Sequence, residues 1–254
     1  MIFDTHAHYD DEAFDEDRDE LLSSMAAQGI AKIVNIGSGF EANQKTLKLA
    51  QEYDFIKAAF GIHPEFADQL NEENFKRIEE LCRLDECVAV GEIGLDCYWP
   101  EPDVSIQKPW FERQMDLARR IGKPIVVHSR DAAQETYEMM KAAEAGDIGG
   151  VVHCFSYSKE MAKLFVDMGF YIGVGGVITF KNGKKLKEVV EYIPLEHIVL
   201  ETDCPYLAPV PFRGKRNSSL LLPHVVEAIS QIKGISREEV ERITWDNAHR
   251  LYRL

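Results

Sequence analysis

The sequence predicts an α/β chain folded as a single (β/α)8 TIM barrel, and three observations carry that prediction. Eight short β-rich segments alternate with longer amphipathic ones, the order that produces a parallel sheet. Histidines and carboxylates recur at the ends of those segments, where barrels of this kind collect their catalytic residues. No Gly-rich loop follows the first segment, so the nucleotide-binding open sheet lacks its signature.

The strands are read at Ile2–Asp4, Lys32–Ile36, Ile56–Phe60, Val88–Glu92, Ile125–His128, Val151–His153, Tyr171–Val174 and Ile198–Glu201. Apolar residues at helical spacing lie between them: Leu21, Leu22 and Met25, then Leu47 and Ala50, then Phe75, Ile78, Leu81 and Cys82, then Phe111, Met115, Leu117 and Ala118. Gly29, Gly122, Gly146 and Gly169 each precede a strand and are read as helix stops. Two further helices, near Pro223–Lys233 and Arg237–Tyr252, follow the eighth strand. With no linker, repeat or low-complexity tract, residues 1–254 are taken as one domain. The acidic run from Asp10 to Glu20 reads as the approach to a solvated first helix.

Composition narrows the function classes. The 43 acidic residues outnumber the 29 basic ones for a formal charge of −14, which argues against wrapping duplex nucleic acid on a broad basic surface. Bound divalent ions would offset part of that charge locally, so phosphate chemistry stays open. Five scattered cysteines without a C-x-x-C pair argue against a disulfide framework and point to reduced thiols. No basic leader with an apolar run, and no apolar run of membrane length, is present, so a cytoplasmic protein is expected, without membrane association or an obligate protein partner.

His6 and His8 stand one residue apart at the end of the first strand, where alternate side chains leave the same face and can grip one ion together. Glu92, His128, His153 and Asp203 stand at or just beyond later strands. Six donors exceed what one catalytic zinc takes, usually three protein ligands and a water, so two divalent ions are expected, Mg²⁺, Mn²⁺ or Zn²⁺. Glu92, from the middle of the strand order, is the natural bridge between ions that would lie roughly 3.5 to 4 Å apart. His63, after the third strand, is read as a substrate group or a support behind the ligands, and not as a seventh ligand.

Several features suggest phosphate as the reacting group. Lys181, Lys184, Lys185 and Lys187 follow the seventh strand, and Arg213, Lys215 and Arg216 follow the eighth, where barrels often bind phosphate. Lys187 is assigned to a solvated helix start. Arg213 and Arg216 are the better phosphate groups, because a guanidinium matches phosphate oxygens bidentately. Arg130, two residues beyond His128, is assigned to the scissile phosphate. Tyr98, Trp99 and Tyr206 could stack bases, whereas Trp110 reads as a packing residue. Alternation along the sixth strand sends Cys154 away from His153, into packing between barrel and helix.

The segments Thr5-His6-Ala7-His8, Gly61-Ile62-His63-Pro64, Gly91-Glu92-Ile93-Gly94-Leu95-Asp96, His128-Ser129-Arg130, His153-Cys154-Phe155 and Glu201-Thr202-Asp203-Cys204-Pro205-Tyr206-Leu207 resemble, in order and across nearly the whole chain, the signature segments of the TatD family. That family, a branch of the amidohydrolase superfamily, is described as divalent-metal-dependent deoxyribonucleases. The resemblance implies metal roles for the same six residues and, on its own, a 3'-5' exonuclease-like action. Ser218-Ser219 depart from the family pattern, which usually places an acidic residue and a proline after Asn217.

The expected activity is hydrolysis of DNA phosphodiesters at single-stranded or frayed ends by a metal-activated water, with Glu92 and Asp203 as the catalytic carboxylates. The alternatives are an amidohydrolase or small phosphoesterase on the same fold, or a noncatalytic metal-stabilised binding protein. The intact set of six donors counts against the last.

Overall fold

Strands buried on both faces need apolar side chains on both, and the segments read above supply them. In the computed structural model, which describes residues 1–254, they form β1 (Ile2–Ala7), β2 (Ile30–Ile36), β3 (Ile56–Phe60), β4 (Cys87–Asp96), β5 (Ile125–Arg130), β6 (Gly150–Val152), β7 (Phe170–Val174) and β8 (Ile198–Leu200). All neighbours pair parallel in the order β1 to β8. The outer layer is α1 (Arg18–Ser24), α2 (Phe40–Glu52), α3 (Glu72–Cys82), α4 (Val104–Ile121), α5 (Ala133–Ala142), α6 (Lys159–Asp167), α7 (Lys184–Tyr192), α8 (Leu222–Lys233) and α9 (Arg237–Tyr252). Every residue of β1 and β4 is buried. No helix is long and apolar enough to cross a membrane.

Two apolar layers hold this arrangement. The larger lies between strands and helices and includes Ile33, Phe60, Ile93, Phe111, Val127 and Phe165. The smaller gathers Phe3, Val34, Val126, Val151 and Val199 from separate strands against Ala248, Leu251 and Tyr252 of α9. Helix α9 therefore plugs the barrel interior. The Tyr252 hydroxyl donates to the carbonyl of Thr5, 2.7 Å away.

The barrel closes between β1 and β8 without a regular ladder. Ala7 and Cys204 form an isolated bridge, and the His6 carbonyl accepts the Asp203 N–H at 2.9 Å. Beneath them lies Asp4, fully buried, whose carboxylate accepts from the Thr202 hydroxyl (2.7 Å), the Ser219 hydroxyl (2.6 Å) and the backbone N–H groups of Thr202 (3.0 Å) and His6 (3.2 Å). Burial still pushes Asp4 up to about 6 against those four hydrogen bonds. Ser219, one of the two residues that depart from the family pattern, thus satisfies a buried carboxylate at the seam.

Two local expectations are corrected. Gly29, Gly122 and Gly169 do take left-handed φ values of 84°, 69° and 93°, but Gly146 sits inside a 3-10 turn and the stop before β6 is made by Gly149 at φ 73°. The acidic run is also not wholly solvated. Asp10 is buried where the chain folds back after β1, and its carboxylate accepts from the Asn35 amide at 2.8 Å.

Candidate metal centre

Strand β4 carries the central residue. Glu92 is 3% exposed, and the two oxygens of its carboxylate face different sets of donors. On the Oε1 side stand His153 Nε2 at 2.6 Å, His128 Nδ1 at 2.8 Å and His63 Nε2 at 3.8 Å. On the Oε2 side stand His6 Nε2 at 3.5 Å and His8 Nε2 at 3.9 Å. Asp203 Oδ1 completes that second group, 3.6 Å from His6 and 3.4 Å from His8. All six residues assigned to metal from the sequence come together here.

This donor set fits divalent cations. His6 Nε2 and His8 Nε2 lie 3.0 Å apart, so at most one proton fits between two nitrogens that both face carboxylate oxygens. A cation satisfies every one of these groups at once, and mixed imidazole and carboxylate donors suit Zn²⁺ or Mn²⁺.

Close approach of β4 and β5 depends on glycine. Gly94 pairs in register with His128 at φ 150°, and a Cβ there would fall 1.9 Å from the His128 carbonyl oxygen. Gly173 likewise leaves the space filled by the Glu201 carboxylate, 2.2 Å from where its Cβ would be.

Electrostatics follow from packing four histidines around few carboxylates. Burial opposes charging Glu92, but His153, His128 and His6 outweigh it and hold the carboxylate well below its usual range. Burial also disfavours charge on His8, yet Asp203, with Asp10 and Glu92, overrides it and lifts His8 to about 10. His128 rises to about 9 in the same way, through Asp96 and Glu92. His6, buried beside His153, falls to about 4.

A pH dependence follows, since protons on His8 and His128 must leave before those nitrogens can ligate. Metal uptake at pH 7 should release protons, and affinity should rise with pH toward the range where these imidazoles are already neutral. Calorimetry in buffers of different ionisation enthalpy measures the count. Uptake without proton release would mean that both rings are neutral in the metal-free protein.

Three residues of the site escaped the sequence reading. Asp96, 2% exposed, has Oδ2 2.9 Å from His128 Nε2. Glu201 lies behind His153, with Oε1 4.0 Å from its Nδ1, and burial pushes it up to about 8. Asp10 lines the cavity beside His8. A signal existed for the first two: Asp96 is four residues beyond Glu92 on the same strand face, and Glu201 and Asp203 repeat the i, i+2 spacing of His6 and His8.

Cys154 is a correction. Strand β6 ends at Val152, alternation stops, and the left-handed backbone at Cys154 (φ 45°) sets the residue on the wall of the same cavity as His153. That cavity, of about 780 Å³, also takes in Trp99, Arg130, Tyr206 and His63. Trp110 packs against Phe75, as read from the sequence.

The arginines after β8 are not on the cavity wall. Arg216 donates to Asp17 Oδ1 and to the Ala13 carbonyl, each at 2.7 Å, and Arg213 lies 4.4 Å over the Phe180 ring.

The family model for TatD related DNase matches residues 3–253. The chain belongs to this family. YabD of Bacillus subtilis (strain 168), an uncharacterized metal-dependent hydrolase, is 42% identical over 254 residues, the whole of both chains. YcfH of Escherichia coli (strain K12), described in the same words, is 35% identical over all of this chain and 96% of its own. The crystal structure of YjjV, a TatD homologue from Escherichia coli K12, superposes with a TM-score of 0.94 at 30% identity, covering 100% of this chain and 98% of that one. This TatD-family chain is a metal-dependent hydrolase, with its candidate ligands at the mouth of a (β/α)8 barrel.

Proposed function

We propose that this TatD-family hydrolase is a deoxyribonuclease that binds two divalent ions and cleaves phosphodiesters at single-stranded or frayed DNA ends. The observation that carries the reading is Arg130. Among the residues around the cavity it is the one lysine or arginine, it stacks 3.9 Å above the Tyr98 ring, and no carboxylate pairs with it. A guanidinium left free beside a ligand cluster suits a phosphate oxygen, which it can bind bidentately.

His6, His8 and Asp203 would hold one ion and His128 and His153 the other, with Glu92 between them. When bound, such ions supply Lewis acidity toward a phosphoryl oxygen and lower the pKa of water toward neutrality. Asp203, kept ionised by His8 despite burial, would orient the attacking water and take its proton. Arg130 stabilises charge on the phosphate oxygens. His63 has a fixed tautomer, because its Nδ1 accepts the Glu65 N–H at 3.2 Å and the ring proton therefore sits on Nε2. Burial, with His128 alongside, pushes His63 down to about 3, so it serves as a neutral donor to a substrate oxygen. Trp99 and Tyr206, 48% and 56% exposed on the cavity rim, offer faces for bases. A cytoplasmic setting suits the five free thiols.

End-labelled single-stranded oligonucleotides, digested with Mn²⁺- or Zn²⁺-loaded protein, test the reading. Cleavage of the strand, with two metal equivalents per chain by elemental analysis, supports it. Turnover of a small phosphoester with intact oligonucleotide would instead favour the second reading, a small-molecule phosphoesterase. That alternative has its own observation: Asp10, Asp11 and Glu65 line the same cavity as the single arginine and would repel a polyanion.

The strand-eight loop gives a separate prediction. Since Asp17 already occupies Arg216, Arg213 is the better candidate for contact with the outgoing strand. Arg213→Ala should lower the salt slope of oligonucleotide binding by about one, whereas Arg216→Ala should leave it unchanged. A slope unaltered in both variants removes the loop from the substrate path.

A further inference from the structure

We propose that Asp96 couples the metal centre to the anion clamp: one carboxylate oxygen orients His128, and the other folds the Tyr98–Trp99 segment that seats Arg130. The role given to Arg130 rests on the phosphodiester reading above. The coupling itself rests on geometry.

Asp96 Oδ2 meets His128 Nε2 at 2.9 Å, while Oδ1 accepts the backbone N–H of Tyr98 at 2.9 Å and of Trp99 at 3.2 Å. A carboxylate only accepts, so Asp96 keeps a proton on His128 Nε2, and the nitrogen left to ligate a cation is Nδ1, once it gives up the proton it shares with Glu92 Oε1 at 2.8 Å. Such an outer carboxylate commonly sets the orientation and basicity of a ligating histidine. The same carboxylate shapes the loop. Gln107 of α4 secures the two ends of the loop, donating to the carbonyls of Asp96 (2.8 Å) and Pro102 (2.7 Å) and accepting the Asp96 N–H (2.9 Å). The stretch between those anchors is held by Asp96 Oδ1, and there the Tyr98 ring lies 3.9 Å beneath the Arg130 guanidinium. Cys97 adds a backbone bond to the Arg130 carbonyl at 2.9 Å, so β5 and the loop move together. Tyr98 is thus a positioning residue for Arg130, and Asp96 is a positioning residue for both His128 and Arg130.

The two arms separate by substitution. In Asp96→Asn the amide oxygen can still accept from Tyr98 and Trp99, but its NH₂ faces His128 Nε2 and drives the ring proton to Nδ1. Zn²⁺ affinity, measured by competition with a chromophoric chelator, should fall roughly 10- to 100-fold. The affinity of the Zn²⁺-saturated protein for inorganic phosphate should hardly change. Tyr98→Ala should leave Zn²⁺ affinity at the parent value and weaken phosphate binding about 3- to 10-fold, with Tyr98→Phe restoring it, as loss and recovery of a cation–π contact require. Asp96→Ala should lose both.

Parent Zn²⁺ affinity in Asp96→Asn would overturn the His128 arm. Parent phosphate affinity in Tyr98→Ala, or no recovery in Tyr98→Phe, would overturn the Arg130 arm. Asp96→Asn and both Tyr98 variants keep the proposal falsifiable should Asp96→Ala fail to fold. Neither measurement uses DNA, so an absence of oligonucleotide cleavage by the parent protein would count against the deoxyribonuclease reading alone.

Discussion

Glu92→Ala should abolish turnover and cut metal content to one equivalent or fewer while the barrel stays folded. The Glu92 carboxylate stands between His153 and His128 on one side and His6 and His8 on the other, so its removal takes a shared ligand from both groups at once. Two cations brought close together without that negative charge would repel each other directly, and the remaining donors would hold at most one. Loss of one positioned transition-state group costs about 10² to 10³ in rate, and loss of the ions themselves should exceed it. The fold survives because β4 is anchored by Val88, Val90, Ile93 and Leu95, none of which touches the mouth's chemistry. Far-UV circular dichroism, elemental analysis and hydrolysis of an activated phosphodiester should be read on one preparation. A folded variant with two equivalents and parent activity would remove Glu92 from the centre.

The next largest effect is expected from Arg130→Ala. As the only lysine or arginine around the cavity, Arg130 has no neighbour to replace it, and kcat/KM should drop on the order of 10²-fold for short oligonucleotides and small phosphodiesters alike. Metal content should stay at the parent value. Arg130→Lys should recover little, because an ammonium neither stacks on Tyr98 as a plane nor binds two phosphate oxygens in parallel. A neutral ester or amide, if turned over, should be insensitive to the change. Equal loss on neutral and anionic substrates would show that Arg130 supports the site's shape instead of the phosphate.

The eight strands were legible because their inner stretches are covered on both faces and must be largely apolar there, which leaves a local trace in Val34, Val90 and Val127 alike. The six donors were legible because a barrel gathers one kind of strand end at one mouth. Asp96 was hidden by the register shift in β4 between Val90 and Ile93, since the strand reads as finished at Glu92 when it runs on to Asp96. Cys154 was misdirected because nothing local announces that β6 stops at Val152. Arg216 looked free for phosphate because its partner Asp17 lies 199 residues earlier, and an ion pair of that span has no sequence signature.

The seam between β1 and β8 also sets an order of assembly. The hydrogen bonds that fix the first strand reach 198 residues to Thr202, 215 to Ser219 and 247 to Tyr252. Contacts of such separation form late, after the closure entropy of the intervening chain has been overcome. A nascent chain that has completed β1 through β7 can already pack His128 and His153 beside Glu92 and pair β1 with β2, but the second donor group still lacks Asp203 and the Thr202 and Ser219 hydrogen bonds that hold Asp4. One half of the donor set therefore matures before the other, and a chain interrupted before Thr202 would hold the donors around Glu92, His128 and His153 without the Asp203 that completes the group of His6 and His8.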